Sequence, residues 1–158
     1  MPAQNPVLVP TIFYRDPRAA LDWLEKAFGF EIAVLLTDDA GRVGHAEMSY
    51  RGANIGIGGE WEGPQLGGAK MRSPASLEGA GTQFLWVELE GDLDAHCERA
   101  RAAGARIVQE PEDQFYGART CRVLDPEGHV WCFRQAVREV SLAEMEAASG
   151  LKLQPKAG

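Results

Sequence analysis

The chain repeats itself. Gly29 and Gly104, each placed to stop a helix, stand 75 positions apart, and the signals around them recur in the same order. A repeat constrains folding more than any single residue, because each copy must form the same supersecondary unit. An apolar stretch opens each copy, at residues 7–14 and 83–89. Both are rich in residue types that suit pleated strands. A helix follows. Asp16 is placed to cap the first one, with Pro17 at the first helical position, where a missing N–H costs nothing. Ala20, Leu21, Leu24, Ala27 and Phe28 then share one helical face. Asp92 caps the second helix, whose inner face carries Leu93, His96, Cys97, Ala100 and Ala103. Downstream, residues 31–36 match 106–110, residues 44–50 match 119–125, and residues 55–57 match 130–132. The turn 50–54 falls on the turn 125–129. Gly91 reads as a one-residue insertion ahead of the second helix. Each copy therefore predicts the order β-α-β-β-β.

Residues 59–81 separate the copies. They hold many glycines, Pro64, Pro74 and one isolated aromatic, Trp61. A long structureless stretch inside a compact chain is a linker or a lid, and Trp61 would fold onto a pocket in the second case. Beyond the second copy, Ser141-Leu142-Ala143-Glu144 forms a capping box that opens a short helix. The expected division is a first module at 1–58, a Gly-rich linker or lid at 59–81, a second module at 82–135, and a C-terminal helix and tail at 136–158.

Composition removes several function classes. The net charge is −7, and no run of Lys or Arg offers a footprint for nucleic acid or an anionic membrane. No apolar stretch approaches the ~20 residues that cross a bilayer. No basic segment followed by an apolar run opens the chain, so no secretory signal is expected. Three cysteines without C-x-x-C spacing argue against a disulfide framework and against a Cys-based zinc knuckle. A reduced, cytoplasmic setting is the expectation.

Specific words within the repeat go further. Arg15-Asp16-Pro17 runs into Leu24-Glu25-Lys26-Ala27-Phe28-Gly29. Gly44-His45-Ala46-Glu47-Met48 and Asp92-Leu93-Asp94-Ala95-His96 follow. Tyr116-Gly117-Ala118-Arg119 precedes Asp125-Pro126-Glu127-Gly128-His129-Val130-Trp131. Over about residues 6–135 the chain resembles the vicinal oxygen chelate superfamily, in its glyoxalase and bleomycin resistance branch. The resemblance implies an α+β fold. Two β-α-β-β-β modules form a cupped mixed sheet, with helices outside and the cups around a central cavity. It also implies a homodimer, in which the paired modules can come from different chains. One such scaffold hosts many chemistries.

Enzymes of that superfamily hold a divalent metal with His, Glu or Gln from the first and fourth strands of each module. The resemblance puts the fourth-strand position of the second module at Cys132. The 75-residue offset puts its counterpart at Ile57. The first-strand positions fall at Gln83 and near Leu8, Val9 or Pro10. Ile cannot bind a metal, and a lone Gln with a lone Cys makes a poor site. The expectation is a metal-free cup, with no cofactor. A nonstandard metal site would have to use His45.

Alternation places His45, Glu47 and Ser49 on one face of their strand and Ala46 and Met48 on the other. His45 is a candidate pocket acid or base, or a plain hydrogen-bonded strand residue. His96 reads as packed on its helix and His129 as a turn residue. Trp86 and Phe84 share a face and read as core, as do Trp131 and Phe133. Tyr116 and Arg119 suit an anionic or planar ligand at a cavity mouth, unless Arg119 pairs with a surface carboxylate. The expected cup floor is Gln83, Ile57, Cys132 and Val130. His45, Glu47, Trp61, Tyr116, Arg119 and Arg122 complete the ligand-binding set. Two function classes survive. One is a binding protein that sequesters a small organic molecule or antibiotic. The other is a metal-dependent lyase, isomerase or dioxygenase.

Overall fold

A computed structural model describes residues 6–154. The first module contains β1 (Thr11–Tyr14), α1 (Pro17–Phe28), β2 (Glu31–Thr37), β3 (Val43–Tyr50) and β4 (Ala53–Gly59). Two short strands follow, β5 (Trp61–Glu62) and β6 (Lys70–Met71). The second module contains β7 (Phe84–Glu88), α2 (Leu93–Ala102), β8 (Arg106–Asp113), β9 (Ala118–Leu124) and β10 (Val130–Ala136). A last helix, α3, spans Leu142–Ser149. The modules form two four-stranded mixed sheets of the same topology, β1-β4-β3-β2 and β7-β10-β9-β8. In each, the first strand runs parallel to the fourth and the other pairs are antiparallel. The α+β class and the repeated unit are those read from the sequence.

Local chemistry sets the helix ends. Asp16 Oδ1 accepts the Ala19 N–H at 3.0 Å, and Pro17 begins α1. Gly29 adopts φ 75° and Gly104 φ 97°, in the region that side chains with a Cβ resist. Asp92 Oδ1 accepts the Asp94 N–H at 2.9 Å. The capping box of Ser141 and Glu144 is present.

The helices then pack against each other. Trp23 Nε1 donates to Ala103 O at 2.7 Å, and Arg99 donates to the last carbonyls of α1 at Glu25 and Lys26. Phe28 lies at the centre of the core, with ring centroids 5.1 Å from Trp131, 4.6 Å from Phe133 and 5.7 Å from Phe30. Both helices and the helix-facing side of both sheets share this one core. The opposite side of each sheet therefore looks outward. Within one chain the two cups do not close on each other.

Three expectations need correction. The first strand begins at Thr11 rather than at residue 7, and Val7 and Leu8 stand exposed. Pro10 has no N–H with which to continue the ladder. Residues 59–81 are structured rather than loose. β5 and β6 pair as a hairpin, and Pro64 and Pro74 each start a short 3-10 turn. Polar bonds fasten this strap. Ser73 is fully buried, and its Oγ donates to Glu127 Oε1 at 2.6 Å. Ser76 Oγ donates to Glu60 Oε1 at 2.8 Å, and Arg15 Nε donates to Ser76 Oγ at 2.7 Å.

The third correction is one of register. Ala46 pairs with Ile57 and Met48 with Ile55, whereas Cys121 pairs with Phe133 and Val123 with Trp131. The offset between modules is 75 up to β9 and becomes 76 in β10, because the turn before β10 is one residue longer. A one-residue shift moves every side chain to the other face of a strand. Ile57 therefore corresponds to Phe133, and the counterpart of Cys132 is Gly56.

Candidate functional site

Pairing and alternation define the outward face of the first sheet. It carries Thr11 and Phe13 on β1, Gly56 and Gly58 on β4, and His45 and Glu47 on β3. Here a groove of about 560 Å³ is lined by Thr11, Phe13, His45, Gly58, Glu60 and Trp61, among others. The glycines make room for their neighbours. A Cβ at Gly56 would meet Thr11 Oγ1 at 2.3 Å, and one at Gly58 would meet the Phe13 ring at 3.2 Å. Thr11 and Phe13 thus lie over a glycine floor, and the strap brings Trp61 to the rim. His45 Nε2 lies 3.1 Å from Glu47 Oε1, and Asn54 Nδ2 donates to Glu47 Oε2 at 3.2 Å. These bonds, the one from His45 foremost, hold the Glu47 carboxyl below the usual carboxylate range.

The outward face of the second sheet differs. Phe84 and Trp86 on β7 stand beside Val130 and Cys132 on β10 and Arg122 on β9. Phe84 is 59% exposed and Trp86 60%, so both leave the core assigned to them from sequence. The Arg134 guanidinium lies 4.5 Å from the centre of the Trp86 ring and 5.6 Å from that of Tyr116. Arg134 also forms an ion pair with Glu88. A second cavity, of about 590 Å³, opens at the seam between modules, among Phe30, Tyr50, Ile55, Leu85, Trp86 and Trp131.

The sequence-predicted residues separate accordingly. His45 and Trp61 meet at the first groove, with Glu47 beside His45. Val130, Cys132 and Arg122 share the second outward face, and Tyr116 reaches its edge through Arg134. Three others lie elsewhere. Ile57 is fully buried on the helix side, next to Ile12, for the register reason given above. Gln83 is exposed and precedes β7, so the outward first-strand positions belong to Phe84 and Trp86. Arg119 points to the helix side, where it donates to both oxygens of Asp94 and to Asp113 Oδ1, at 3.0–3.1 Å. The surface-carboxylate alternative for Arg119 holds. Sequence reasoning missed Phe13, Asn54 and Trp86, whereas Arg134 does stand by the second outward face, as the sequence suggested. The glycine-rich strand Ala53-Asn54-Ile55-Gly56-Ile57-Gly58-Gly59 was the available signal, since glycines inside a strand mark close approach.

The donor chemistry does not fit the superfamily's divalent metal. Outward positions on the first and fourth strands are Thr11, Phe13, Gly56 and Gly58 in one module, and Phe84, Trp86, Val130 and Cys132 in the other. Among the described residues, no three His, Cys, Asp or Glu side chains gather in a way that could hold a metal.

The profile of the Glyoxalase/Bleomycin resistance protein/Dioxygenase superfamily matches residues 6–133. The chain belongs to that superfamily. Relatives within it include an uncharacterized protein of Mycobacterium bovis, 36% identical over 145 residues, which cover 91% of this chain and 92% of the relative. Among solved structures, TioX from Micromonospora sp. ML1 superposes with a TM-score of 0.65 at 30% identity, over 84% of this chain and all of TioX. TnmS3 from Streptomyces sp. CB03234, described as an antibiotic binding protein, superposes at 0.60 with 20% identity, over 85% of this chain and 98% of TnmS3. At that identity it shares the glyoxalase/bleomycin resistance fold alone. As for the membrane, none of the described helices is long and apolar enough to cross one.

Proposed function

We propose that this member of the superfamily is a metal-independent binding protein that sequesters a small organic ligand against its outward sheet faces. The observation that carries this reading is the set of side chains at the usual metal positions. They are aromatic, small or apolar, which suits a ligand's body better than a cation. A groove with a few converging polar groups, His45 and Glu60 among them, is the make-up expected of a small-molecule site. The description of TnmS3 as an antibiotic binding protein supports an antibiotic as one ligand class. Three free cysteines suit a reduced, cytoplasmic setting.

The working form is a homodimer. Val34 and Leu36 pair with Glu47 and His45 on the first outward face, and Phe84 and Trp86 stand on the second. All four large apolar side chains are exposed in one chain. A second copy would cover them and turn two open faces into enclosed sites.

Metal analysis tests the reading, together with ligand screening of chelator-treated protein by calorimetry. Saturable binding without metal supports it. A stoichiometric, tightly held divalent ion on which binding or turnover depends overturns it in favour of the lyase, isomerase or dioxygenase class.

A further inference from the structure

We infer that the groove of the first module selects planar aromatic molecules carrying a hydroxyl, by hydrogen bonding that hydroxyl to Nδ1 of His45. The inference rests on the binding reading above and names the ligand chemistry of one groove.

The polar groups around the groove leave one vacancy. An ionised Glu47 only accepts hydrogen bonds, so the hydrogen between it and His45 sits on the histidine, and Nε2–H donates to Oε1. The same carboxylate accepts from Asn54, which fixes its orientation. A neutral imidazole with hydrogen on Nε2 presents Nδ1 as an acceptor. No hydrogen bond to Nδ1 is formed among the described residues. The carboxylate that lines the groove, Glu60, is already engaged. It accepts from Ser76 Oγ at 2.8 Å and from the Ser73 N–H at 3.3 Å, and it lies within 4.0 Å of Arg15 and Arg72. Arg15 and Arg72 offset the charge of Glu60, and the open polar atom of the groove is an acceptor. A neutral donor fits it.

The apolar parts set the shape. Phe13 lies over Gly58, where a side chain would crowd its ring. Trp61 is half exposed at the rim, on a strap fastened by Ser73, Ser76 and Arg15. A flat ring can rest against these two aromatics. His45 then meets the ring's hydroxyl.

The test compares 4-nitrophenol with 4-nitrotoluene, which keeps the ring and loses the donor. Both are titrated into the intact protein treated with chelator. The phenol should bind about tenfold more tightly or better, the discrimination expected when one hydrogen bond is made or left unmade. Its absorption should move toward that of the phenolate. His45→Leu should abolish the preference, Glu47→Gln should reduce it, and Trp61→Ala should weaken both probes equally. Thermal melts of each variant confirm folding, which the exposure of His45 favours. Equal binding of the two probes, or a preference that survives His45→Leu, overturns the inference. So does the absence of binding by either probe. If the preference is lost in Trp86→Ala instead, the second outward face is the site and the binding reading stands. If binding appears only on adding a divalent metal, the binding reading itself fails.

Discussion

Tyr14 of the first module donates a hydrogen bond of 2.7 Å to Asp125 Oδ2 of the second. Both residues are buried, and the carboxylate is saturated. Trp131 Nε1 donates to Oδ2 at 3.1 Å, and the backbone N–H groups of Glu127 and His129 donate to Oδ1 at 3.0 Å each. His129 Nε2 lies 2.7 Å from Phe13 O and ties the same turn back to β1. Burial, followed by the nearby carboxylate, raises the Tyr14 phenol well above its usual value, so it stays a donor. Asp125→Ala would strand a buried phenol and a buried indole N–H. It should cost about 3–5 kcal/mol, and Tyr14→Phe about 1.5–3 kcal/mol. Urea denaturation of the two single variants and the double variant measures this. A double variant equal to the sum of the singles would show that the pair is not coupled.

Acid should weaken the fold through His96. Its ring packs 4.3 Å from Phe133, and its Nε2 is buried without a hydrogen-bond partner. Burial first, then the charge of Arg99, lowers its pKa from 6.5 to about 4. The unfolded chain therefore binds a proton at this residue near pH 6.5, which the folded chain refuses until about pH 4. More protons on the unfolded state means that stability falls as pH drops through this window. The loss at the lower end is about 2–3 kcal/mol. His96→Phe should flatten the fall. Denaturant midpoints at pH 7 and pH 5 check it, and parallel pH dependence in both proteins would refute it.

The exposed apolar faces predict assembly. At micromolar concentration, sedimentation should give twice the chain mass of 17.2 kDa. Leu36→Glu combined with Trp86→Glu should give a folded monomer, because both side chains lie on outward faces. A wild-type monomer would remove the homodimer from the proposal.

The strap should depend on Glu127. Its carboxylate accepts from the Arg15 and Asp16 backbone N–H groups at 2.6 and 3.1 Å, and from Ser73 Oγ at 2.6 Å. Glu127→Ala should cost about 1–3 kcal/mol and speed proteolysis within residues 60–81. Unchanged cleavage there would mean that the hairpin of β5 and β6 holds the segment by itself.

Much of this structure was legible in the chain. Asp16, Pro17 and Gly29 announce α1 because capping is local chemistry, and Leu21, Leu24 and Phe28 are buried where the period put them. The order of elements followed from the repeat, for the same local reasons. The site was harder to read. Trp86 reads as core from sequence because it shares a face with Phe84, opposite Gln83 and Leu85. Which face of β7 it occupies is set by pairing with Cys132, a contact 46 positions away. Arg119 was open to a ligand or a carboxylate partner because Asp94 lies on another element, and only packing of α2 brings the two together. Ser73 gave no hint of burial, since its partner Glu127 is remote in the chain.

The longer turn before β10 fixes which surface of the second sheet is oil and which is water. Remove one residue between Asp125 and His129, and the indole of Trp131 and the ring of Phe133 would swing out into solvent. Cys132 and Arg134 would swing in, and a guanidinium would be driven into the packing around Phe28. Turns exposed at a protein's rim usually absorb insertions and deletions at little cost. This one cannot, because its length is counted in steps of a two-residue pleat. Variation in such a chain is free to change the letters of the turn far more readily than their number.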